Sequence, residues 1–90
     1  MKIETEAYTT QDNDDFHDVD CLAWYENNPQ QWKINVSFNK ETQAIEEGSP
    51  YQYSPNVDTH FEKIDIINIP SDILECLQGR VEAAKDDILT

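Results

Sequence analysis

The residues with the most chemistry to offer lie between positions 12 and 20, Asp-Asn-Asp-Asp-Phe-His-Asp-Val-Asp. Five carboxylates, Asp12, Asp14, Asp15, Asp18 and Asp20, stand here with no Lys or Arg among them. Calcium is the first chemistry to test. An EF-hand loop wants oxygen ligands at positions 1, 3 and 5, glycine at 6 and a bidentate glutamate at 12. Counted from Asp12, position 5 is Phe16, position 6 is His17 and position 12 is Ala23, so the motif fails. A metal-dependent hydrolase needs acids that converge in a pocket, usually with a Lys, a His or a metal. Asp18 and Asp20 flank Val19 and point the same way from an extended chain, but with His17 they make a thin constellation. The surrounding charge would also repel a phosphate-bearing substrate. Cys21 and Cys76 form no C-x-x-C pair, which removes the usual zinc and thioredoxin-like readings. Both have apolar neighbours and read as reduced, buried thiols. The expectation is a protein without catalytic residues, metal or cofactor.

Charge is the stronger signal. Nineteen acids against six bases give the 90-residue chain a formal charge of −13. A magnitude of about 2–8 already keeps a small domain soluble, and the excess destabilises the compact state by self-repulsion. Six scattered bases cannot form the basic stripe that phosphate neutralisation requires, so direct nucleic-acid binding is disfavoured. A clustered negative field attracts proteins that carry a basic groove. The chain has no apolar run long enough to span a bilayer, and Met-Lys-Ile-Glu-Thr-Glu is unlike a signal peptide. A cytoplasmic protein is expected.

The acids need elements to position them. At 90 residues one domain is expected, with one modest core, and nine aromatic side chains are enough to nucleate it. Residues 2–9 alternate with period two: Ile3, Thr5 and Ala7 on one face, Glu4, Glu6 and Tyr8 on the other. Residues 10–18 read as a loop, with Phe16 tucked inward as its anchor and His17 within it. Residues 19–26 have strand composition with apolar groups on both faces, which predicts a central strand covered on both sides near one end. Asn27-Asn28-Pro29 breaks it. Residues 32–39 alternate strictly, Trp32, Ile34, Val36 and Phe38 against Lys33, Asn35, Ser37 and Asn39, and pair with the preceding strand as a hairpin.

Residues 43–46 suggest a short further strand. Residues 47–60, with Gly48, Pro50 and Pro55, read as a long irregular loop. Its Tyr51 and Tyr53 either meet a partner or cover the sheet edge. Residues 61–69 read as an Ile-rich strand ended by Pro70. Ser71 or Asp72 then caps a helix to about residue 88, with Ile73, Leu74, Leu77, Val81, Ala84 and Ile88 on one face. Glu75, Glu82 and Asp86 line its outer face, and Asp86 and Asp87 occupy a last turn where the macrodipole prefers cations. The predicted fold class is α+β: an antiparallel sheet of four to five strands with one C-terminal helix packed on one face, as a monomer or homodimer.

In size and charge the chain resembles small acidic anti-defence proteins of phages and mobile elements, a resemblance that rests on composition. It implies an inhibitor that imitates nucleic acid in the basic groove of a nuclease, a restriction complex or an RNA-guided defence complex, an anti-restriction or anti-CRISPR-like role in the host cell. Carboxylates on alternate residues of a strand are about 6–7 Å apart, comparable with neighbouring phosphates on one nucleic-acid strand. The expected contacts are Asp12, Asp14, Asp15, Asp18 and Asp20, then Glu4, Glu6, Glu46 and Glu47, with Trp24 and Tyr25 as apolar contributors. Two other readings stand beside it. One is an immunity-type protein that neutralises a single toxin enzyme through an aromatic hot spot inside the acidic patch. The other is a housekeeping domain whose acidity reflects habitat.

Overall fold

The alternating apolar residues of positions 32–38 build the centre of the molecule. Trp32, Ile34, Val36 and Phe38 are all buried while their neighbours on the other side of the strand are half-exposed. The computed structural model, described over residues 2–53 and 60–89, surrounds this strand with a five-stranded antiparallel sheet. The strands are β1 (Ile3–Asp12), β2 (Phe16–Tyr25), β3 (Gln31–Asn39), β4 (Ile45–Tyr53) and β5 (Glu62–Lys63), and each pairs with the next in chain order. A 3₁₀ turn (Ile66–Asn68) leads to helix α1 (Ser71–Leu89), which crosses one face of the sheet. Among the described residues no helix is long and apolar enough to cross a membrane.

The α+β architecture and the helix agree with expectation. Ile73, Leu77 and Val81, spaced four apart, are buried against Val19, Cys21, Ala23 and the β3 residues, with Leu74, Ala84 and Ile88 packed around them. Full burial of an apolar side chain of this size contributes about 1.5–3 kcal/mol. The expected cap at Ser71 or Asp72 shifts by a residue: the Pro70 carbonyl accepts the first helical bond, from the Leu74 N–H at 2.9 Å, and Ser71 and Asp72 lie inside the first turn. The Asp72 carboxylate accepts hydrogen bonds from the Tyr25 hydroxyl at 2.7 Å and the Ile73 N–H at 2.9 Å, and so ties the first turn to the end of β2. β2 is the predicted doubly covered strand: Val19 to Ala23 are buried without interruption.

Four further expectations need correction. Residues 10–18 are not a loop. β1 runs on to Asp12 and β2 begins at Phe16, because cross-strand pairing continues to Asp12 opposite His17. His17 is therefore a strand residue. Phe16 is no inward anchor; it falls on the face away from the helix and is 38% exposed. Residues 47–53 are not irregular either. They extend β4, which takes in Gly48 and Pro50 by means of a bulge opposite Asn35. An added Cβ at Gly48 would lie 3.1 Å from the Asn35 carbonyl oxygen, which explains the glycine. The expected loop residues 54–59 lie outside the described residues.

Finally, residues 61–69 form no long strand. β5 has two residues, and the chain then leaves the sheet edge to reach the helix beneath it. Ile69 is buried by that descent, whereas Ile67 is left 84% exposed.

Candidate functional site

Register decides which acids share a surface. Directly opposed residues in an antiparallel pair point to the same face. Thr5, Ala7, Val19, Cys21, Ala23 and the apolar β3 residues face the helix. Glu4, Glu6 and Tyr8 of β1, Phe16 to Trp24 at even positions of β2, and Lys33, Asn35 and Ser37 of β3 face the other way, onto an open side. Tyr51 and Glu46 of β4, opposite Lys33 and Ser37, join them there.

The hairpin between β1 and β2 is the most acidic part of this surface. Asn13 N–H donates to the Phe16 carbonyl at 2.9 Å, which leaves Asp14 and Asp15 as the two corner residues of the turn. The Asn13 side-chain oxygen accepts the N–H groups of Asp15 (2.9 Å) and Phe16 (2.8 Å) and so fixes the corner. Lys40 clamps the hairpin from the next connection. Its ammonium donates to Asp12 Oδ1 at 2.6 Å and to the Asn13 carbonyl at 2.7 Å, and its N–H donates to the Asp15 carbonyl. The Lys40 hydrogen bond holds the Asp12 carboxyl below the ordinary carboxylate range, with the charges of Lys40 and His17 acting in the same direction. His17 Nδ1 lies 3.7 Å from Asp12, and its Nε2 shares a 2.7 Å hydrogen bond with the Thr9 hydroxyl. Lys40 and Asn13 are the positioning residues that sequence reasoning missed. The visible signal was small: one lysine directly after a strand, with no way to know which hairpin it would meet.

The predicted contact residues divide accordingly. Asp14 and Asp15 are exposed at the turn, and Asp12 is exposed beside them but ion-paired. Asp18 lies opposite Ser37, which lies opposite Glu46, so the two acids stand two strands apart, about 10 Å, on the same face. Glu4 and Glu6 share that face further along β1. Asp20 is different. It is 8% exposed, accepts a hydrogen bond from Asn35 Nδ2 at 2.8 Å, and lies 3.8 Å from the Lys33 ammonium. The Tyr8 hydroxyl also reaches it; burial first, then the Asp20 charge and hydrogen bond, raise the Tyr8 phenol. Asp20 therefore holds the sheet face together and is not available to a partner. Glu47, opposite Val36, lies on the helix side and is separated from the rest by the sheet. The helix acids Glu75, Glu82 and Asp86 are exposed, on the element that covers that same side.

The open face is not uniformly acidic. A row crosses all five strands, Glu6, Leu22, Lys33, Tyr51 and Lys63. The Lys33 ammonium lies 4.5 Å from the Phe61 ring centre and 5.1 Å from that of Tyr51. Tyr53 packs against Phe61 with ring centres 5.4 Å apart. Trp24 is half-buried on this face. Tyr25 is on the other, edge-on to Trp32 at 5.9 Å. The two expected apolar contributors thus point in opposite directions.

On the helix side a cavity of about 240 Å³ opens between the hairpin and the second half of α1, lined by Ala7, Thr9, His17, Val19, Arg80 and Asp87 among others. Arg80 Nε is buried there without a hydrogen-bond partner. Cys21 is buried, and its thiol is pushed up to about 11, chiefly by desolvation. Among the described residues no group of three or more His, Cys, Asp or Glu is arranged to hold a metal ion.

Comparison of the chain with protein-family models, with curated proteins and with solved structures returned no match.

Proposed function

We propose that this chain is a small acidic inhibitor that occupies the basic groove of a nucleic-acid-binding protein or nuclease complex as a nucleic-acid mimic. The observation that carries the reading is the hairpin. Asp14 and Asp15 occupy the corner of a turn fixed by Asn13 and Lys40, and Asp18 and Glu46 continue the negative charge onto the adjoining open face. A turn backbone fixed in this way lowers the ordering cost of presenting the carboxylates to arginine and lysine, and charge-assisted pairs of that kind are among the stronger polar contacts. A partner with a basic groove is also steered in by the field of a −13 chain. The reading gives the protein no catalytic role and no cofactor, and goes with a cytoplasmic location, in a host cell if phage-encoded. It also narrows the contact set to Asp14, Asp15, Asp18 and Glu46, with Glu4 and Glu6 further along the same face and Asp12 ion-paired to Lys40 at the hairpin.

A specific observation favours a second reading, an immunity-type protein against one toxin enzyme. Trp24, Tyr51 and Tyr53 lie half-buried on the same open face as the acids, the composition of an interface hot spot. The two readings separate by experiment. The protein is immobilised, partners are captured from a cell lysate, and elution is followed across a salt series and with competing duplex DNA or RNA. A mimic releases a nucleic-acid-binding partner steeply with salt and yields it to nucleic acid. An immunity-type protein keeps one enzyme partner at high salt. Capture of nothing basic would overturn both.

A further inference from the structure

We propose, resting on the reading above, that the free edge of β1 takes an extended basic segment of the partner as a sixth strand. The phase of the ladder provides the argument. Glu26 N–H donates to the Lys2 carbonyl at 2.9 Å, which makes the two a hydrogen-bonded pair. Such pairs alternate with non-bonded ones along an antiparallel ladder, and the register is unbroken from Ile3 opposite Tyr25 to Thr9 opposite Val19. Glu4, Glu6 and Tyr8 therefore direct their N–H and C=O groups to β2. Ile3, Thr5, Ala7 and Thr9 direct theirs outward, to the side of β1 where, among the described residues, the sheet has no further strand.

The two edges of the sheet are unlike each other. β5 has two residues and pairs only with Tyr51 and Gln52, and the part of β4 that it leaves uncovered carries the bulge at Gly48; a very short strand and a bulge are two of the ways in which sheets avoid edge-to-edge pairing. β1 has ten residues and no proline, and its irregularity lies beyond the segment in question, between Thr9 and Gln11. What it carries instead is charge. Glu4 and Glu6 stand on the open face beside the outward backbone groups. A second β1 pairing antiparallel about this segment would set carboxylates against one another, which is unfavourable. A strand with Lys or Arg at alternate positions would set opposite charges there, in non-bonded pairs whose side chains lie closer together. The same two residues thus oppose self-pairing and select a basic strand. In strand addition the backbone supplies affinity and alternate side chains supply specificity.

The test uses the full chain, ¹⁵N-labelled, with a synthetic peptide of alternating Thr and Lys. A second peptide carries N-methyl groups on its threonine nitrogens, the donors that would face β1 when lysines stand opposite Glu4 and Glu6. The expected result is that the plain peptide slows amide exchange of Thr5 and Ala7 by about tenfold or more, and that the methylated peptide does not. Binding that shifts Glu4 and Glu6 but leaves Thr5 and Ala7 exchange unchanged would overturn strand addition and leave the acidic-surface reading intact. Failure of the plain peptide to bind would also overturn strand addition, whereas the acidic-surface reading is judged separately by partner capture.

Discussion

The Lys40 ammonium lies 2.6 Å from the Asp12 carboxylate and 2.7 Å from the Asn13 carbonyl, so one cation joins the start of the β3–β4 connection to the tip of the β1–β2 hairpin. The acidic hairpin therefore depends on one of the chain's few bases. Lys40→Met should increase amide exchange at Asp14, Asp15 and Phe16 while leaving the β3 core protected. It should also return the Asp12 titration to the ordinary carboxylate range. In the native protein Asp12 is lowered by the Lys40 hydrogen bond, so this contribution is present above the unfolded carboxylate value and is lost as pH falls through the lower folded one. NMR titration of the two proteins checks both points.

Asp18 and Asp20 look alike in sequence but have different work. Asp20 is buried among Asn35, Lys33 and Tyr8 on the open face, and removing it leaves those polar groups without their partner. Asp20→Ala should lower stability by about 1–3 kcal/mol, and Asp14→Ala by no more than about 0.5 kcal/mol. Urea denaturation of the two variants makes the comparison. Equal effects would mean that Asp20 is only another surface acid.

The two glycines should respond in opposite directions. A Cβ at Gly79 meets nothing within 4 Å on the outer side of the helix. Gly79→Ala should stabilise by about 1 kcal/mol and raise Tm by about 4–8 °C. At Gly48 the added carbon would press on the Asn35 carbonyl at 3.1 Å, which cannot retreat without disturbing the β3–β4 ladder. Gly48→Ala should lower Tm. Thermal unfolding followed by circular dichroism reads both.

These contrasts bear on what was legible in the sequence. The strict alternation around Val36 and the fourfold spacing of Ile73, Leu77 and Val81 reflect burial on one side only, and a local pattern records that faithfully. β4 was hidden because Gly48 and Pro50 ordinarily interrupt strands. Here a bulge accepts the glycine, and the Pro50 carbonyl still receives the Ile64 N–H at 3.0 Å. The Ile64–Ile69 segment misled in the other direction. β-branched composition favours a strand, but the chain must descend from the sheet edge to the helix, and Ile67 remains outside. Of the candidate site, the location of the acids was readable and their roles were not. Whether an aspartate faces solvent or a lysine depends on residues of other strands, Lys33 for Asp20 and Lys40 for Asp12.

If the proposed function holds, a localised acidic surface, and not net charge alone, engages the basic partner. The most direct measurement compares capture from one lysate by three proteins: the native chain, a variant with Asp14→Asn, Asp15→Asn, Asp18→Asn and Glu46→Gln, and a variant with Glu75→Gln, Glu82→Gln, Asp86→Asn and Asp87→Asn. Both variants lose the same charge, one from the hairpin and open face and the other from the helix. The first variant should lose the nucleic-acid-competed partner and the second should retain it. Equal loss from both, or retention by both, would contradict the proposed function.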